Sequence, residues 1–345
     1  MSPMLSQLLI PFIIAMFLAV TMGGSGTGPA FSVAYGANVI KKSLIPGLFG
    51  IMVFLGALIA GKNTASTVGG EILPANFMTF TTVSIILFAV AISLLIANLG
   101  GIPQSTSQST VFAVAAPAIY YNVLNTKKVF FEIIPTWFIL PIIAFAICYF
   151  VGKYLYEPIR KKGLFKSRSE KLNLNPVWNT IIVIMSLYVA FSIGANNVAN
   201  ASGPIASMTA NELNIYAGSN FTLVLILSTL VIAPSFAIGS SIFGDKIVEN
   251  TGKEIYLFGK SEAVMIAFIS GSLLLFASII KGIPTSLVQL NVAAILGFGV
   301  AKLGAKNIFN KTQVKKFFIM WVISPIVAFA ISFLLIVLFD KFWIN

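Results

Sequence analysis

Residues 194–207 read GANNVANASGPIAS. Three asparagines, two serines, two glycines and a proline stand together without a charge, directly after the apolar run 181–193, IIVIMSLYVAFSI. A run of that character belongs to a bilayer or to a deep core, and the amides that follow it are out of place in either. The rest of the chain decides which. Its 345 residues are 58% hydrophobic and only 9% charged, and the mean hydropathy is +0.96. Soluble domains carry roughly 25% charged residues, so this composition marks an all-α polytopic membrane protein.

Several function classes fall away on composition alone. There is no histidine among the 345 residues, which removes the commonest general base, proton relay and zinc ligand. Cys148 is the single cysteine, so neither an internal disulfide nor a thiolate metal site can form. A membrane-embedded enzyme is hard to assemble from what remains. No cofactor is expected beyond a co-transported H+ or Na+. The net charge of +12 reads as Lys/Arg-rich cytoplasmic loops and not as a nucleic-acid surface. Met1 to Val20 lacks a basic leader and an A-x-A-like cleavage site, and reads as the start of the first span.

Apolar runs of crossing length (about 17–25 residues) lie near 8–22, 44–60, 79–98, 109–124, 133–152, 177–193, 220–243, 262–280, 285–301 and 317–339. About ten crossings are expected, several of them broken by Gly, Pro, Ser and Asn. The segment 153–176 carries seven basic residues between Lys153 and Lys171 and is placed in the cytoplasm. Five crossings on either side then put both termini outside a cell (inner) membrane, with seventeen of the 22 Lys and Arg inside. The reverse orientation would invert that asymmetry.

The two sides of the basic segment resemble each other. GIPQSTSQSTVFAVAAPAI from Gly101 matches GIPTSLVQLNVAAILGFGV from Gly282, and TWFILPIIAFAICYF from Thr136 matches MWVISPIVAFAISFL from Met320. GKNTASTVGGEI from Gly61 matches GDKIVENTGKEI from Gly244, and MGGSGTGPAFS from Met22 more distantly matches IGANNVANASG from Ile193. The order is kept throughout, so residues 1–152 and 177–345 form two transmembrane repeats. An odd number of crossings in each makes them inverted in topology. Inverted repeats with broken or re-entrant helices are the architecture of secondary transporters, whose sites lie where the breaks meet near the midplane.

Four such breaks are expected, at 23–32, 101–108, 194–207 and 282–289. Their backbone groups must line a cavity or a ligand, their side chains are neutral donors and acceptors, and half-helix N-termini favour an anion. Close helix packing by small residues is the competing explanation for any single break. The occurrence of the breaks in two symmetric pairs favours a site.

GANNVANASGP resembles the GANDVANA signature of the inorganic phosphate transporter family, and GIPQSTSQ and GIPTSLVQ resemble its G-x-P-x-S-T-T-H signature. The resemblance covers nearly the whole chain. It implies anion uptake coupled to Na+ or H+, with the ligand held by these four segments. Family roles carry over to Gly194, Asn196, Asn200, Ser105, Thr106 and Ser286. The departures are informative. Asn197 stands at the signature aspartate. Ser25 and Gly26 stand where Asn-Asp is expected in the first half, with Pro29 at the later asparagine. Gln108 and Gln289 replace the histidines.

A carboxylate suits an anion that carries protons, such as phosphate near neutral pH. Sulfate carries none, and a site of neutral donors suits it, because a buried acceptor left unpaired is costly. The chain therefore resembles the sulfate-permease branch of the family. The expected substrate-binding residues are Asn196, Asn197, Asn200, Ser25, Gly26, Thr27, Gly28, Ser105, Thr106, Ser107, Thr285 and Ser286, with Gln289 beside them. Uptake of a dianion against an inside-negative potential costs about 2.3 kcal/mol per charge per 100 mV and needs a coupling cation. Gln108, Gln289, Glu71 and Glu254 are candidates to handle it, as is Glu262 at the start of a span, and H+ is favoured over Na+. Lys281, just before the second GIP, either attracts the anion or snorkels. The expected protein is a cation-coupled sulfate symporter. A phosphate symporter, another tetrahedral oxyanion (thiosulfate or molybdate) and an uncoupled anion channel remain alternatives. A homodimer is compatible with the architecture, although no residue specifies one.

Overall fold

The computed structural model of the chain describes residues 3–36, 38–100, 104–156, 176–214, 219–251 and 259–343. Glu254, the residues Gly101 to Pro103 and nearly all of the basic segment 153–176 lie outside the described residues. Every regular element among the described residues is a helix. In chain order these are α1 (Pro3–Gly36), α2 (Ile45–Ala60), α3 (Lys62–Ser66), α4 (Phe80–Gly100), α5 (Thr106–Tyr120) and α6 (Ile134–Phe150), then α7 (Pro176–Asn197), α8 (Ala199–Glu212), α9 (Ser219–Ile232), α10 (Pro234–Thr251), α11 (Lys260–Phe276), α12 (Leu287–Leu303), α13 (Ala305–Phe309) and α14 (Thr312–Trp343).

Among the described residues eight helical segments are long and apolar enough to cross a membrane. They account for eight of the ten expected crossings. The fourth and ninth are the shorter helices α5 and α12, of 15 and 17 residues. At 1.5 Å per residue these reach about 22 and 26 Å, short of a hydrocarbon core of about 30 Å. Both start at a buried serine, Ser105 or Ser286, so each begins inside the protein. Large apolar side chains such as Phe131, Phe138, Ile142, Ile59 and Val322 cover the outside, as contact with lipid requires.

The halves exchange partners. Helix α5 packs along α14, and its repeat counterpart α12 packs along α6, the counterpart of α14. Likewise α1 packs along α10 while α7 packs along α2. Within the halves, α1 packs on α4 and α7 on α11. The cross-half pairs are set by glycine. A methyl added at Gly23 would overlap the backbone of Phe236, and one at Gly239 the backbone of Val20, both well under 3.0 Å. The α2–α7 pair repeats the device: Gly56 lies against Phe191 and Gly194 against Val53. Gly23 and Gly194 are repeat equivalents, as are Gly56 and Gly239, so both crossings use the same close approach.

This packing corrects two of the four expected breaks. Residues 23–32 run helical inside α1, and 194–207 are helical except for a single turn residue, Val198, between α7 and α8. The glycines there admit neighbouring backbones and do not end the helix. Pro29 and Pro204 sit within helices. Each lacks an N–H, which frees the carbonyl four residues earlier, Ser25 and Asn200 respectively.

The other two breaks are real. Helix α11 passes through a widened turn, Ala277–Lys281, to Gly282 at φ +61°, a left-handed residue that stops it. A methyl at Gly282 would meet the carbonyl oxygen of Asn63 at 2.9 Å. The chain then runs extended to Ser286, whose hydroxyl accepts from the Gln289 N–H at 3.3 Å and starts α12. Ser105 starts α5 in the same way, accepting from the Gln108 N–H at 3.3 Å. Serine in extended geometry is a strong N-cap, which is how an identical local pattern produces both half-helices.

Candidate functional site

The N-termini of α5 and α12 face one small cavity. Its walls are Gln104, Thr106 and Ser107 from the first break, Ser286, Leu287 and Val288 from the second, Ser25, Gly26 and Pro29 from α1, and Ile193 and Asn197 from α7. None of these side chains is ionisable. The first backbone N–H groups of a helix have no partner within it. In α5 and α12 the third of these, on Gln108 and Gln289, is capped by serine. The N–H groups of Thr106, Ser107, Leu287 and Val288 remain, and these four residues line the cavity. Two helix dipoles thus place partial positive charge on the same space without a cation. The free volume is only about 10 Å³, on the order of one water-sized sphere. The site is closed in this conformation, and an oxyanion requires its walls to part.

The two adjacent asparagines of the motif are placed differently. Asn196 is fully buried and fully bonded. Its Oδ1 accepts from the Thr285 N–H at 3.1 Å and from the Ser107 hydroxyl at 3.0 Å. Its Nδ2 donates to Ser278 Oγ at 2.8 Å and to the Ile283 carbonyl at 3.3 Å. It ties α7 to both breaks. Ser107 Oγ also lies 3.1 Å from the Thr285 carbonyl and accepts from Asn200 Nδ2 at 3.3 Å. Asn197, one residue on, lines the cavity and makes no side-chain hydrogen bond to another described residue. On a helix, consecutive side chains point about 100° apart, so one amide faces the protein and the next faces the cavity.

Of the residues expected to bind substrate, Ser25, Gly26, Thr106, Ser107, Asn197 and Ser286 line the cavity, while Asn196, Asn200, Thr27, Gly28, Ser105 and Thr285 do not. The hydroxyls of Ser25 and Thr27 bond back to their own helix, at Met22 O (3.0 Å) and Gly23 O (2.7 Å), and Thr27 faces Gly244. Thr285 Oγ1 bonds to the Ile283 carbonyl at 3.1 Å. Asn200 Oδ1 is buried without a partner.

The coupling candidates are spread out. Gln108 and Gln289 bond to each other reciprocally, at 3.3 Å and 2.9 Å, so the two half-helices are bridged by a closed amide pair. Glu71 is 44% exposed and pairs with Lys128 at 2.8 Å, away from the cavity wall. Glu262, 1% exposed, pairs with Lys302 near the end of α12 and accepts from the Gly259 N–H at 2.9 Å. Lys281 is exposed at the end of its turn.

Three residues not expected from the sequence support this arrangement. Gln104 is buried in the cavity wall, held by Ser324 on α14. Trp137 on α6 donates through Nε1 to the Pro284 carbonyl at 2.8 Å and fixes the second break. Ser278 receives the Asn196 amide. The one advance signal was positional: Gln104 and Thr285 occupy the same slot of the repeated G-I-P-x-S.

The pattern of the phosphate transporter family matches residues 22–332. A relative named sulfate permease CysP, from Bacillus subtilis, is 35% identical over 96% of this chain and 88% of its own length. A provisionally named phosphate permease of Thermococcus kodakarensis is 27% identical over 94% of this chain and 96% of its own length. Among solved structures, one titled the sodium-dependent phosphate transporter superposes with a TM-score of 0.79 at 21% identity, covering 98% of this chain and 100% of the other.

Proposed function

The chain belongs to the phosphate transporter family, a multi-pass membrane transport protein and not an enzyme, and from that premise we propose that it takes up sulfate by proton symport. The observation that carries the reading is the cavity between two helix N-termini, lined by neutral donors and by no carboxylate. A hydrogenphosphate ion needs an acceptor for its own proton. This wall offers backbone N–H groups and neutral amide and hydroxyl groups but no carboxylate to take that proton, with Asn197 at the position of the family aspartate. The resemblance to a sulfate permease at 35% identity supports the same choice.

Asn197, Thr106, Ser107, Ser286, Ser25 and Gly26 would hold the anion together with the free N–H groups of α5 and α12. Asn196 would position them by locking both breaks. For the coupling proton we favour Glu262 over Gln108 and Gln289, whose amides are closed on each other, and over the exposed Glu71. Glu262 holds the far end of α12 through Lys302, and α12 carries half of the anion site at its near end. Protonation of Glu262 would loosen that tie, which links proton uptake to movement of the anion-binding helix. The partner exchange between halves supports inverted insertion, and the Lys/Arg asymmetry favours both termini outside with the basic segment 153–176 cytoplasmic.

The test is labelled sulfate uptake into proteoliposomes under imposed pH or Na+ gradients, with unlabelled phosphate as competitor. Uptake driven by the pH gradient and indifferent to excess phosphate is the expected result. Strong competition by phosphate, dependence on Na+, or flux that never exceeds the electrochemical gradient would overturn it.

A further inference from the structure

Gln104 is 1% exposed and stands in the cavity wall. Its two amide ends have different surroundings. The hydroxyl of Ser324 donates to Oε1. Ser324 is itself held in a serine cluster, with Ser109 Oγ at 3.0 Å and Ser93 donating to the Ser324 carbonyl at 3.2 Å. That cluster joins α4, α5 and α14 around the hydroxyl that Gln104 Oε1 faces. The other end, Nε2, is buried with no hydrogen-bond partner. A buried donor without an acceptor is costly, and the cost is recovered when an acceptor arrives in the cavity. The repeat-equivalent residue, Thr285, spends its hydroxyl on the Ile283 carbonyl, so the donor is supplied from the first half only.

We propose that Gln104 is a specificity-determining donor for the transported anion. This rests on the reading of the cavity as the anion site and goes beyond it by naming the residue that sets the choice among oxyanions. Nε2 donates to an oxygen that carries no proton. With Oε1 turned to Ser324, the end without a partner is a donor, which matches an unprotonated oxygen and not a protonated one. The favoured class is therefore the fully deprotonated tetrahedral oxyanion, and Ser324 is the positioning residue that maintains the preference.

Uptake of labelled sulfate and of labelled phosphate would be measured in proteoliposomes for the wild type, Gln104→Met, Gln104→Glu and Ser324→Ala. Gln104→Met keeps the length without the donor, and its KM for sulfate is expected to rise roughly tenfold or more. Gln104→Glu supplies an acceptor, and the sulfate-to-phosphate uptake ratio is expected to fall about tenfold or more. Ser324→Ala shifts the ratio in the same direction by less. The ratio does not depend on how much of each variant folds. Sulfate-dependent thermal stabilisation in detergent is the second readout, present in the wild type and lost in Gln104→Met. If the wild type takes up sulfate and the variants keep its KM, its ratio and its stabilisation, Gln104 is only wall and the proposal falls. If the wild type takes up neither anion, the anion-site reading fails and the role of Gln104 falls with it.

Discussion

The two neighbouring asparagines of the motif give a direct contrast. Asn196→Ala removes one amide that makes four hydrogen bonds. The serine hydroxyls can turn elsewhere, and Ser278 already bonds to the Leu274 carbonyl at 2.8 Å. The Thr285 N–H cannot turn and is left buried without this partner, while the Ile283 carbonyl keeps the Thr285 hydroxyl. At about 1–3 kcal/mol for the one stranded group and about 1 kcal/mol for the other lost bonds, the loss is about 2–4 kcal/mol. For a chain of this size one kcal/mol moves the melting temperature by roughly 2 °C, so a fall of about 4–8 °C is expected in detergent. Asn197→Ala breaks no hydrogen bond to a described residue, and its melting temperature without ligand is expected to stay within about 2 °C of wild type, a change of about 1 kcal/mol or less. What it loses is the ligand. Sulfate at 100 times its Kd stabilises a binding protein by about 2.7 kcal/mol, and most of that gain is expected to vanish in Asn197→Ala while uptake falls. Melting curves with and without sulfate, together with uptake assays, read both effects. If Asn197→Ala melts as early as Asn196→Ala, or Asn196→Ala keeps its melting temperature, the division of labour between the two amides is refuted.

Three further outcomes follow from the geometry. Gly194→Ala forces a methyl onto the Val53 backbone and is expected to cost about 1–3 kcal/mol or more by overpacking; Gly47→Ala, with nothing within 4 Å, is the matched control and should melt no lower than wild type. Trp137→Phe loses the bond to the Pro284 carbonyl and is expected to lower stability by about 1–2 kcal/mol, with slower hydrogen exchange across 282–286 in the variant counting against this. Lys302→Met removes the cation paired with the buried Glu262 carboxylate at a cost of about 3 kcal/mol, whereas Glu262→Gln keeps the shape and is expected to leave a folded protein whose uptake no longer follows the pH gradient; gradient-driven uptake by that variant would remove Glu262 from the coupling role.

The break at Gly282–Ser286 was legible because its signals are local: a glycine that stops a helix, a proline, and a serine that caps the next one; before Ser105 the same capping serine starts α5. The supposed breaks at 23–32 and 194–207 carried glycine and proline too, yet stay helical. There the reason for glycine is a backbone on the other half of the chain, Phe236 for Gly23 and Val53 for Gly194, which no local pattern displays. The polar wall was mostly legible through Ser25, Ser107, Asn197 and Ser286. The separation of Asn196 from Asn197 was not, since side-chain direction depends on which face α7 turns inward. The role of Gln104 is not legible locally, because Ser324, the residue that holds the other end of its amide, lies 220 positions away.

The exchange of helices between halves has a consequence for how the chain is made. Ser93 bonds to a residue 231 positions later in the sequence, and α1 rests against α10. At about 5–20 residues per second of synthesis, roughly 10–50 seconds pass between the emergence of Ser93 and that of its partner. For most of that interval α5 lacks α14, and for its earlier part the glycine faces of α1 and α2 lack α10 and α7, which emerge sooner. The newly inserted first half is therefore the vulnerable species in biogenesis. Insertion machinery or lipid must shelter it, in a protein whose finished form keeps those same surfaces deeply buried.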